Sequence, residues 1–152
     1  MADTDYIEAY IAISQVKARY CRTMDTKDWA GYAECFTEDY ELDTSPAGGA
    51  PPVKGRDAAI NYVRSSIEHA KTAHQVHNLE LTLNGDVADA IWALQDRVTW
   101  DPARKMMPGA TGHTGYGHYH ERYVRKDGRW RIQKLRLSYL QFDVHREAEA
   151  AR

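Results

Sequence analysis

The sequence lacks everything that would mark a disulfide scaffold, a membrane span or a nucleic-acid partner. Its 152 residues include two cysteines, Cys21 and Cys35. They fit no Cys-x-x-Cys spacing and are too few to staple a chain of this length, so both are expected reduced and half-buried. No stretch approaches the roughly 18 apolar residues of a membrane span. Met1 to Tyr6 carries neither the basic segment nor the apolar run of a secretory signal, so a soluble, cytoplasmic protein is expected. An excess of one charge sign is also missing. The 20 basic and 22 acidic residues are interspersed, and the net charge is −2. That leaves no electrostatic footprint for nucleic acid or an anionic membrane. A small neutral or weakly charged molecule is the expected partner. A chain of this size forms one domain that buries roughly 70% of its unfolded surface, enough for one core and one pocket.

What is present falls into two halves. From Asp5 to Met24, apolar residues recur at helical spacing (Ile7, Tyr10, Ile11, Ile13, Val16, Tyr20, Met24) with no Gly or Pro between them, which predicts an amphipathic helix. Asp25-Thr26-Lys27-Asp28 then offers Asp25 or Thr26 as N-cap of a shorter helix through Trp29, Tyr32 and Phe36. Glu38 to Thr44 reads as a strand, Ser45 to Pro52 as a loop and Arg56 to Ala70 as a third helix. After Lys71 the pattern turns to β, with runs over 72–83, 87–100, 114–125 and 130–142. They are joined by Asn84-Gly85-Asp86, a Gly/Pro-rich stretch from Asp101 to His113, and Lys126-Asp127-Gly128. Asn-Gly and Asp-Gly between such runs are hairpin signals. Residues from about 144 read as a mobile tail. Helices followed by a meander predict a single α+β domain over 1–152, a curved, mostly antiparallel sheet wrapped around the helices.

Three stretches carry a family resemblance. Tyr20-Cys21-Arg22-Thr23-Met24-Asp25-Thr26-Lys27-Asp28-Trp29 resembles the end of the first helix in scytalone dehydratase. Thr72-Ala73-His74-Gln75-Val76-His77-Asn78 is similar to the Thr-x-His segment of that enzyme and of hexachlorocyclohexane dehydrochlorinase. Gly117 to Tyr123, followed by Lys126 to Trp130, resembles the family's last hairpin. Together they resemble the SnoaL-like branch of the nuclear-transport-factor-2-like (NTF2-like) superfold, a cone enclosing a pocket. The resemblance implies a lyase of the dehydratase type, without metal or organic cofactor. Its substrate would be a hydroxylated aromatic, polyketide-like or steroid-like molecule, and a homo-oligomer, trimer or dimer, is expected. An isomerase or cyclase using the same residues, or a non-catalytic binding module, is the alternative within the superfold.

The resemblance assigns Asp25 to hold His74 and His74 to move the proton. An imidazole with an ordinary pKa of about 6.5 suits that task, and a carboxylate on its other nitrogen sets the tautomer. Read from the residues alone, Asp25 with Asp28 is equally a capping pair. On the run Ala88, Ala90, Trp92, Leu94, Asp96, Val98, Trp100, one carboxylate interrupts an apolar face. Asp96 is therefore either functional, or turned to solvent by a bulge, or paired with Arg97 or Arg122. The resemblance to bile-acid dehydratase implies Tyr20, five residues before Asp25, as donor to a leaving group, and read from the residues alone it is equally a packed helix tyrosine. The resemblance to the dehydrochlorinase and to bile-acid dehydratase implies an arginine near the pocket on the last strand, at Arg136, which alternation puts on a face with Trp130, Ile132, Ser138, Leu140 and Phe142. A shift of one residue would put Leu135 or Leu137 there instead. Met24, Trp29, Asn78, Trp92, Tyr119 and Tyr123 are the expected substrate-binding walls. Scytalone dehydratase has a tyrosine where Met24 stands, which argues against scytalone itself as substrate. His118 and His120, with His113 or His77, have no third ligand at fixed spacing, so no metal site is read. His74, Val76 and Asn78 oppose Leu79, Leu81 and Leu83 in parity, so either a bulge shifts the phase or both faces are covered, one by a neighbouring subunit.

Overall fold

A computed structural model describes residues 2–147. The change from helical to alternating periodicity at Lys71 is where its long strands begin. Among the described residues the order is α1 (Ala2–Asp25), α2 (Trp29–Ala33), β1 (Phe36–Asp43), a 3-10 turn (Ser45–Ala47), β2 (Val53–Lys54), α3 (Arg56–Ile67), β3 (Lys71–Asn84), β4 (Val87–Thr99), β5 (Ala110–Lys126) and β6 (Arg129–Arg146). They make an α+β domain whose sheet runs β2-β1-β6-β5-β4-β3. The pair β1–β6 is parallel and every other neighbour is antiparallel. Asp127 and Gly128, both at positive φ, close the β5–β6 hairpin in the two-residue manner whose twist matches the strands. The inner face of β4, from Ala88 through Trp92 to Leu94, packs in one core with Ile13, Val16, Tyr20 and Met24 of α1, and Val98 packs in a second, smaller cluster with Ala70, Trp100 and Ala110.

Some boundaries differ from the sequence reading. The second helix ends at Ala33 because Phe36 already pairs in β1, and α3 stops at Ile67. The tail expected from 144 is strand as far as Arg146. Thr114 and His145 hydrogen-bond at 3.0 Å, and Lys105 pairs with Glu147. The rest of that tail lies outside the described residues.

Three bulges decide which side chains face inward. In β3 the register shifts between His77 and Glu80, around Asn78 at φ 53. A half-turn of phase then places Leu79, Leu81 and Leu83 on the same face as His74 and Val76. The parity conflict in the sequence is thus resolved inside one chain. In β6, Gln133 is the extra residue between Ile132, opposite Tyr123, and Lys134, opposite Arg122. The inward set becomes Ile132, Leu135, Leu137 and Tyr139. A second extra residue, Leu140, lies between Tyr139 and Gln141 and is 79% exposed.

Candidate active site

The site begins with how α1 stops. The Asp28 N–H donates to Thr23 O (2.9 Å) and the Lys27 N–H to Met24 O (3.2 Å), with Lys27 at φ 62. This is the paired bonding of a Schellman turn, with lysine where glycine is usual. It makes Asp25 the last helical residue and leaves capping of α2 to Asp28, whose Oδ1 accepts from the Gly31 N–H at 2.9 Å. The Asp25 carboxylate is therefore free to reach across to β3. Oδ2 accepts the His74 backbone N–H (2.8 Å), and Oδ1 accepts the Thr72 hydroxyl (2.8 Å) and lies 2.6 Å from His74 Nδ1. Lys27 Nζ in turn donates to Thr72 Oγ1 at 2.8 Å. Burial alone would raise the Asp25 pKa. The His74 ring, the His74 N–H and the Thr72 hydroxyl outweigh it and hold the carboxyl below its usual range. A carboxylate on Nδ1 places the ring proton there and leaves Nε2 as the basic nitrogen.

His74 opens onto a cleft of about 190 Å³ lined also by Tyr20 and Met24 of α1, Tyr62, Val63 and Ile67 of α3, Asp96 and Val98 of β4, His113 and Tyr119 of β5, and Leu135, Leu137 and Tyr139 of β6. Asp96 stands directly opposite His74 in the β3–β4 register and is 2% exposed. No bulge turns it out. Neither arginine considered in the sequence reading is its partner, and Arg122 instead pairs with Asp89. The Tyr139 hydroxyl donates to Asp96 Oδ2 at 2.6 Å, and His113 Nε2 is 3.4 Å from Oδ1. Burial pushes the Asp96 pKa up. The polar contacts of His113 and Tyr139 and the nearby His74 outweigh that, so the group stays below the ordinary carboxylate range. Tyr20 packs edge-to-face on Tyr119 with centroids 5.8 Å apart, and burial raises the pKa of both phenols, leaving them neutral donors.

Tyr20, Met24, Asp25, His74, Asp96 and Tyr119 thus come together, and five expected site residues do not. Arg136 points outward, its side chain 63% exposed and its Nε 3.7 Å from Asp43, because the Gln133 bulge reverses the alternation. Asn78 is spent as the left-handed residue of the β3 bulge and is exposed. Trp29 packs on Tyr32 (centroids 5.8 Å) under Arg64 instead of lining the cleft. Trp92 and Tyr123 do sit on the inner face, but further along it, where the core is filled. His118 and His120 have ring centroids 6.3 Å apart and lie on the opposite side of β5 from Tyr119.

Tyr139 and His113 were missed. The Gln133 bulge reverses the parity of Tyr139, and His113, in the Gly/Pro-rich stretch by sequence, keeps the parity of Tyr119 in a β5 that starts at Ala110. Also missed was a fully buried ion pair, Lys17 Nζ donating to Glu121 Oε1 at 2.5 Å, with the Tyr123 hydroxyl donating to Oε2 at 2.5 Å. The ammonium lies 3.7 Å and 3.6 Å from the Tyr20 and Tyr119 ring centroids. The signal was present, since Lys17 falls on the stripe Ile13, Tyr20, Met24 and Glu121 alternates between Tyr119 and Tyr123. Among the described residues no group of three or more His, Cys, Asp or Glu is arranged to hold a metal, and no helix is long and apolar enough to cross a membrane.

Comparison with known proteins bears on the family and the fold. The chain is 29% identical over 145 residues to the probable cyclase FGR4 of Gibberella zeae, covering 88% of this chain and 92% of that protein. It is similar in structure to a Mycobacterium tuberculosis protein described as of unknown function (TM-score 0.74, 29% identity, 91% of this chain and 75% of that one). It shares its fold with a hexachlorocyclohexane dehydrochlorinase from Novosphingobium barchaimii (TM-score 0.79, 18% identity, 99% of each chain). A model of the SnoaL-like domain matches residues 5–136, from the first turns of α1 to the middle of β6. With that match spanning most of its length, the chain belongs to the SnoaL-like domain family.

Proposed function

We propose that this protein is a small-molecule lyase that removes water, or another small leaving group, from a hydroxylated ring compound by using His74 as base. The single observation that carries the reading is the Asp25–His74 contact, 2.6 Å to Nδ1, at the edge of the cleft. Nε2 takes a proton from a carbon acid, and Asp25 stabilises the imidazolium that forms. The same imidazolium then returns a proton to the departing hydroxyl, so one residue serves both halves of a syn elimination. Tyr20 and Tyr119, neutral phenols on the wall, supply hydrogen bonds to developing oxyanion charge. The cleft volume lies below the roughly 300–1,000 Å³ of pockets for drug-sized ligands, which favours a substrate of one or two rings over a steroid.

The test uses the β-hydroxy derivative of α-tetralone, which becomes α-naphthol on losing water. The parent is expected to form naphthol, and His74→Gln to fall to the uncatalysed rate. Equal rates in parent and variant would overturn the reading. An isomerase or cyclase is favoured by the similarity to a cyclase and would use the same pair. It would exchange the α-proton of the probe with deuterated solvent without releasing water.

A further inference from the structure

The cleft holds a buried acceptor that the proton transfer by His74 does not use. Asp96 has Oδ2 occupied by the Tyr139 hydroxyl, while Oδ1 has no hydrogen-bond partner among the described residues although Asp96 is 2% exposed. His113 Nε2, at 3.4 Å, lacks hydrogen-bond geometry to it, and its ring is held in place by stacking on Phe142 with centroids 4.4 Å apart. A buried carboxylate oxygen without a donor is costly, and native structures rarely tolerate one without a reason. The neighbouring backbone makes room for the Tyr139 ring beside Asp96. Gly115 is the β5 partner of Asp96, and a Cβ there would lie 2.4 Å from a Tyr139 ring carbon and 2.9 Å from Asp96 Oδ1. The missing side chain lets Tyr139 reach over β5 from β6 to hold one oxygen of Asp96, and it leaves the other bare.

We infer that Asp96 Oδ1 is the docking point for a hydroxyl on the substrate, which makes Asp96 the residue that selects hydroxylated, uncharged rings over their ethers and over anions. The inference rests on the cleft being the substrate site. Asp96 and His74 are directly opposed, and such pairs hold their Cβ atoms about 4.5–5.5 Å apart, so the docked hydroxyl and the abstracted proton belong to one ring or to two fused rings. A negative carboxylate repels phenolates and carboxylates, and an ether oxygen brings no hydrogen to it. A site built to accept a hydrogen bond rejects the ligand that lacks the donor, because its own acceptor is left unpaired.

The experiment is calorimetric titration at neutral pH with β-naphthol and with β-naphthyl methyl ether, which differ by the hydroxyl hydrogen. The parent should bind naphthol about 10- to 100-fold more tightly than the ether, as expected for a hydrogen bond to a charged acceptor. In Asp96→Asn the carbonyl stays with the Tyr139 hydroxyl and the amide NH₂ replaces Oδ1, so the preference should vanish. Gly115→Ala presses a Cβ against both the Tyr139 ring and Oδ1 while keeping the charge, and should weaken naphthol binding at least tenfold. Far-UV circular dichroism of each variant checks that it is folded. Equal binding of the two probes by the parent, no naphthol binding up to millimolar concentration, or a preference retained in folded Asp96→Asn would each overturn the inference. Neither probe has a leaving group or needs His74, so failure here leaves the lyase reading standing. Conversely, an active His74→Gln would leave this docking point untouched.

Discussion

Replacing Asp25 by asparagine tests the site most directly, because the structure dictates how the amide must fail. The carboxylate accepts on both oxygens, from the His74 backbone N–H on one and from Thr72 and His74 Nδ1 on the other. An asparagine has one acceptor oxygen. If that oxygen stays on the Nδ1 side, its NH₂ meets the His74 backbone N–H, donor against donor. If it turns over, the NH₂ donates to Nδ1, the ring proton moves to Nε2, and the base nitrogen is blocked. The lost hydrogen bonds to a charged acceptor cost about 1.5–3 kcal/mol, a fraction of the 5–15 kcal/mol that holds a typical domain, so the variant stays folded. Catalysis suffers more. Loss of the correct tautomer and of imidazolium stabilisation is expected to lower kcat by about 100- to 10,000-fold, or about 2.7–5.4 kcal/mol. The assay is naphthol formation from the tetralone probe. Nitrogen-15 NMR should show Nδ1 protonated in the parent and Nε2 protonated in the variant. A folded Asp25→Asn with kcat within threefold of the parent would refute the assignment of Asp25.

Three further outcomes follow from the same structure. Lys17→Met strands Glu121 in the core and should destabilise the domain by about 3–5 kcal/mol in urea unfolding, whereas the double variant with Glu121→Leu should recover most of that loss. Asp25 and Asp96 both titrate below the ordinary carboxylate range when folded, so over that interval the unfolded chain binds more protons and stability rises with pH. Their contribution is complete above the unfolded value of about 4 and is lost as the pH falls through the lower folded values. Thermal melts between about pH 6 and pH 3 should show this slope, reduced in Asp25→Asn. Arg136→Ala, on the outer surface, should leave turnover unchanged to within about twofold and stability within about 0.5 kcal/mol, and a larger loss of turnover would mean that Arg136 reaches the substrate after all.

Local periodicity by itself determined the α+β class, the long first helix, the hairpins at Gly85 and at Asp127-Gly128, and the apolar face of β4. Each is written in neighbouring residues: a helical stripe, a two-residue turn, an alternation. The short motifs around Asp25 and His74 were legible too, though nothing local separates a capping aspartate from one that reaches β3. That choice lies in the turn at Lys27, which passes capping to Asp28 and aims Asp25 at a residue 49 positions away. The parity of the strands was decided only by tertiary structure. A bulge adds one residue and reverses every side chain after it, and it forms because the partner strand and the core demand it, not because Asn78, Gln133 or Leu140 announces it. The same holds for Tyr139 and His113, which become parts of a site only where Gly115, by lacking a side chain, lets β6 reach Asp96 on β4. Composition and spacing set the elements and the chemistry available to them, and the packing of strands from distant parts of the chain chose which groups share the cleft.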